Sequence, residues 1–147
     1  MPSKDMILQA CAGTVAIQHP ILQAAYELAS LHEARLDQKA DIGAIDHERD
    51  RLVSRIDSWV TADQPPAFDA AHQHTETVGM VIDRLAQFSV DARSASMQST
   101  STLVSRYTQH RLTELAAGYS DLCFEIAAGT RRLPDFSFPV TEGDSAK

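Results

Sequence analysis

Aromatic side chains are scarce in this chain, at 6% of 147 residues, while alanine recurs throughout. Strands favour aromatic and β-branched residues, so the shortage argues against a β-sandwich and suits closely packed helices. Cysteine is almost missing. Cys11 and Cys123 stand far apart, which gives no disulfide framework and fits two reduced thiols in a cytoplasmic protein. No run of about 18 apolar residues exists to span a membrane, and no basic segment followed by an apolar one opens the chain as a secretory signal would. Basic charge is outnumbered: 13 Lys and Arg stand against 20 Asp and Glu, a net −7. Binding to nucleic acid or anionic membrane needs the opposite balance, so neither partner is expected. Chemical motifs are thin as well. There is no Gly-rich phosphate loop, and no Glu-x-x-His of the kind that builds di-metal sites between helices. The serines at 94–101 have no evident base and no strand–turn–helix elbow. His72-x-His74 is a weak metal signal and reads as an ordinary solvated loop. No metal or cofactor is expected, and no catalytic residue can be assigned.

What is present is helical periodicity. With 44% hydrophobic and 22% charged residues, the chain has enough apolar material for one ordinary domain. Ser3 can cap a short helix over 4–12, and Pro20 opens a second helix reaching about 38. Asp41 can cap a third over 42–61, and Thr75 or Thr77 a fourth running to Met97. A fifth spans 102–128, with Gly129 as its stop and Gly118 offering a close helix crossing. Residues 62–73, with Pro65 and Pro66, read as a surface connection, and the Ser- and Thr-rich run 94–102 as a helix break. The expected fold is all-α: an antiparallel four-helix bundle with a short N-terminal helix. One domain is expected over 1–135 and a flexible tail over 136–147.

Three polar side chains interrupt the apolar stripes. His32 shares a face with Ile21, Ala25, Leu28 and Leu36; Arg49 falls among Ile45, Leu52 and Ile56; Arg111 lies at the edge of the last stripe. An unpaired buried charge is costly, so each needs a carboxylate, a ligand or a route to water. The plain reading makes His32 a satisfied core histidine. Arg49 is then a partner of Asp46, Asp83, Glu114 or Glu125, and Arg111 a snorkelling side chain. The functional reading has all three converge on a phosphate or carboxylate, with Glu76 or Asp83 supplying acid–base chemistry. Glu76 and Asp83 lie seven residues apart on the side of the fourth helix away from Val78, Val81, Ile82 and Leu85. That side reads as a solvated face or, with Gly79 and Met80, as a dimer surface.

The run Thr75-Glu76-Thr77-Val78-Gly79-Met80-Val81-Ile82-Asp83-Arg84-Leu85 resembles the "ETPGMIIDRL" signature of the bacterial family called domain of unknown function 4254. Leu31-His32 and Arg49-Asp50-Arg51-Leu52-Val53 resemble its "LH" and "RNDLI" segments. The likeness spans most of 20–132. Val78 stands where that family has proline, and its "LWH.ED" segment is absent, as in a short, divergent, actinobacterial-type branch. The resemblance implies an all-helical fold and no activity. The function expected is an interaction or regulatory module that self-associates; the alternative is a small-anion-binding protein or enzyme using the His, Arg and acid cluster.

Overall fold

A computed structural model describes residues 1–98 and 101–137. Five helices make the protein all-α: α1 (Lys4–Cys11), α2 (Pro20–Ala34), α3 (Ile42–Asp63), α4 (Val78–Met97) and α5 (Thr102–Ala128). Their ends follow from local chemistry. Ser3, Asp41, Thr77 and Ser101 each accept a backbone N–H of the first turn of α1, α3, α4 and α5. His19 does the same for α2, its Nδ1 accepting from Ile21 N at 3.1 Å. Gly129 closes α5 at φ 76°, a left-handed conformation that a Cβ would disfavour. α2 ends at Ala34 rather than near 38, because Leu36 and Asp37 tighten into i+3 turns and the Asp37 carboxylate takes Lys39 N. Leu36 is therefore exposed instead of extending the apolar stripe.

The helix α4 sits at the centre. It touches α1, α2, α3 and α5, whereas α5 touches α4 and α1 but, among the described residues, neither α2 nor α3. Ion pairs fix the directions. Arg35 with Asp46 and Arg55 with Glu27 set α2 antiparallel to α3. The Arg49–Asp83 pair, with a hydrogen bond from Gly79 N to the Asp57 carboxylate, does the same for α3 and α4. Leu22, Leu28, Ile56, Ile82, Leu85 and Tyr119 are fully buried where these helices meet. Each such side chain contributes about 1.5–3 kcal/mol relative to exposure. Cys11 belongs to this core. Gly118 faces open space, so no helix crossing among the described residues uses it.

One element was not expected. Residues β1 (His72–Gln73) and β2 (Arg131–Arg132) pair in parallel, His72 opposite Arg131 and Gln73 opposite Arg132. Phe68 N donates to Gly129 O at 2.9 Å, and the Phe68 ring lies against Gly129. The 62–73 connection is thereby pinned to the end of α5. Of the expected tail, 138–147 lie outside the described residues, as do 99–100 in the Ser- and Thr-rich run. That run stays helical through Met97.

Candidate functional site

Three helices bring His32, Arg49 and Asp83 together. The Arg49 guanidinium meets Asp83 in a two-pronged pair, Nε to Oδ1 at 3.2 Å and Nη2 to Oδ2 at 2.6 Å. Its Nη1 donates to Asp46 Oδ1 at 2.9 Å, and Arg35 reaches the same oxygen at 3.2 Å. His32 Nε2 lies 2.8 Å from Asp83 Oδ1. Burial by itself would raise the Asp83 carboxyl, but hydrogen bonds from His32 and Arg49 outweigh it and hold the group below its ordinary value. An ionised carboxylate only accepts, so His32 must donate from Nε2. The Asp83 bonds in turn hold Arg49 more firmly charged than a free guanidinium. His32 is 5% exposed, while the Asp83 and Arg49 side chains keep 16% and 20%. The cluster is thus sealed on the α2 side and reaches solvent through an open depression of about 430 Å³ lined also by Glu76, Met80, Arg84 and Gln87. There Arg84 Nη2 donates to Glu76 Oε2 at 2.7 Å.

Arg111 does not join them. It pairs with Asp91 at 2.5 Å, two turns further along α4, and its guanidinium lies 3.9 Å from the centre of the Phe88 ring. It is therefore a stacked, ion-paired side chain at the α4–α5 contact, not a third cation of the cluster. Gly79 is also not on an outward face. A Cβ there would stand 2.5 Å from Val53 O and 2.7 Å from Asp57 Oδ1, so α4 touches α3 at this point and a second chain has no access. Gly79 N donates to that same Asp57 oxygen at 2.7 Å. Burial raises the Asp57 carboxyl, partly offset by Gly79 and by the Thr77 hydroxyl. Met80, one residue on, is exposed.

These placements have one cause. A helix with one neighbour buries one stripe, but α4 buries Val78, Gly79, Val81, Ile82, Ala86, Val90 and Ala95 around more than half its circumference. Asp83 lies at the edge of that wide arc and meets α2 and α3 instead of water. Asp57 and Asp91 were missed as partners. Their signal was available in outline, since both are single acids at the margin of an apolar stripe. Among the described residues, no group of three or more His, Cys, Asp or Glu side chains could hold a metal ion.

A family model described as "Protein of unknown function (DUF4254)" matches residues 28–134. The chain belongs to this family. The DUF4254 span includes His32, Arg49, Asp83 and Arg111, while α1 and the first turns of α2 precede it. No curated protein and no solved structure matches the chain. No described helix is long and apolar enough to cross a membrane.

Proposed function

We propose that this DUF4254 protein is a cytoplasmic interaction or regulatory module that acts by self-association. The observation behind this reading is the distribution of apolar groups left in water. Leu103, Tyr107 and Phe124, at 77%, 61% and 76% exposure, all stand on α5, the helix with the fewest helical neighbours for its length. Leu103 and Tyr107 stand one turn apart on the helix, and adjoining apolar side chains left in water support a surface that is covered in use. The competing reading, a small-anion site at His32 and Arg49, has less support. Arg49 already holds three carboxylate oxygens, and an incoming anion would have to displace Asp83 from it. Neighbouring Arg84 is likewise engaged by Glu76.

Self-association is tested by sedimentation velocity and light scattering across a wide range of protein concentration. A dimer or larger particle is expected, with the monomer growing on dilution. A strictly monomeric particle throughout would remove the reading. A thermal shift with inorganic phosphate that vanished in Arg49→Leu would favour the anion site instead.

A further inference from the structure

We propose that the exposed face of α5 docks on the same face of a second copy, antiparallel, with Leu103 against Phe124 and Arg106 against Asp121. The inference rests on the self-association reading and adds the surface and its register. The 27 residues of α5 extend about 40 Å. Thr108, Leu112, Ala116, Tyr119, Leu122 and Ile126 form the inward stripe. At 100° per residue, Leu103, His110, Ala117 and Phe124 fall on the opposite side, and all four are exposed. They recur every seven residues, so each drifts only about 20° from the last, which is the seam spacing of paired helices.

The face is self-complementary, as a two-fold interface must be. Its large apolar groups sit at the two ends, about 32 Å apart, with Ala117 and His110 between them. Sliding one copy antiparallel to bring Leu103 onto Phe124 brings His110 onto Ala117 and Arg106 onto Asp121 in the same register. Among the described residues neither Arg106 nor Asp121 has an ion-pair partner in its own chain. A parallel pairing would instead set Arg106 against Arg106 and Asp121 against Asp121, which is repulsive. Near the axis, Glu114 is held within its own helix, its Oε1 2.8 Å from His110 Nε2. Charge pattern and apolar pattern therefore select one orientation.

The test is a charge swap read by sedimentation equilibrium at modest ionic strength. Arg106→Glu and Asp121→Arg should each weaken the dimer by roughly tenfold, because each reverses two symmetric rim pairs. The double variant should recover the wild-type constant. In one monomer these residues lie about 22 Å apart along the helix, so recovery would have to come from a second copy. Phe124→Asp should give monomer with an unchanged circular dichroism spectrum. A dimer indifferent to the single changes, or a double variant as weak as they are, overturns the antiparallel α5 pairing while self-association stands. A monomeric wild type overturns both.

Discussion

Asp83 takes three hydrogen bonds from two neighbouring helices, so the carboxylate ties α2 and α3 to α4 at one point. Replacing it with asparagine keeps the shape but leaves the half-buried guanidinium with Asp46 as its one remaining carboxylate among the described residues. Breaking a fully buried pair costs about 3–5 kcal/mol. Both partners here reach water at one edge, so Asp83→Asn should cost about 2 kcal/mol in urea denaturation at neutral pH. The pH dependence has a definite sign. The folded carboxyl lies below its ordinary value, so its contribution is complete above the unfolded pKa and is lost as pH falls through the folded one. The gap between wild type and variant should hold steady from neutral to about pH 5 and shrink below about pH 4. Burial shifts Asp57 the other way, but it is present in both proteins and cancels in the difference. A gap that widened on acidification would contradict the assignment of Asp83 as the paired, ionised group.

The element-scale counterpart is the α3–α4 crossing. Gly79 lets the two backbones approach until Gly79 N bonds Asp57, and Thr77 caps the same helix end. In Gly79→Ala the new methyl would meet the Val53 carbonyl, which is backbone and cannot swing aside. Overpacking of this kind costs about 1–3 kcal/mol, and the upper end is expected in denaturant unfolding. Met80→Ala, on the exposed next position, should change stability by less than about 0.5 kcal/mol. Equal losses at both positions would mean that α4 does not approach α3 at this glycine. The contrast also marks how far the sequence could be read. Caps at Ser3, Asp41 and Thr77 and the stop at Gly129 were legible because each acts within one turn of its own helix. The central place of α4 was not, because periodicity reports which side of a helix is apolar and not how many neighbours it has. Hence Gly79 and Asp83 read as outward positions although they face α3 and α2. The β1–β2 pair was hidden for a different reason: two residues cannot display an alternation. Of the cluster, Arg49 with Asp46 and Asp83 was among the pairings open to the sequence, whereas the diversion of Arg111 to Asp91 depends on the α4–α5 contact alone.

For the molecule as a whole, α1 packs on both α2 and α5, two helices that among the described residues do not touch each other. It also packs on α4, the Tyr119 hydroxyl of α5 donates to Pro2 O at 2.7 Å, and Arg93 of α4 donates to Cys11 O at 3.1 Å. Cys11 lies beneath this contact with its Sγ 3.9 Å from Ala25 O, and burial pushes its thiol up to about 12. Such a thiol reacts only when α1 lifts away, because the reagent must reach it and the thiolate must be solvated. Labelling of Cys11 at neutral pH, assigned by mass spectrometry to separate it from Cys123, therefore measures the opening of α1. Tyr119→Phe keeps the buried ring and deletes only the hydroxyl that holds Pro2. The lost hydrogen bond is worth about 1 kcal/mol, so opening and labelling should rise about fivefold. If α1 opens as a local unit, the urea midpoint should move less than the labelling rate implies; if it opens only with the whole core, the two should change in proportion. Labelling of wild-type Cys11 at the rate of a free thiol would show instead that α1 is not docked, and would leave α4 alone to join α5 to α2.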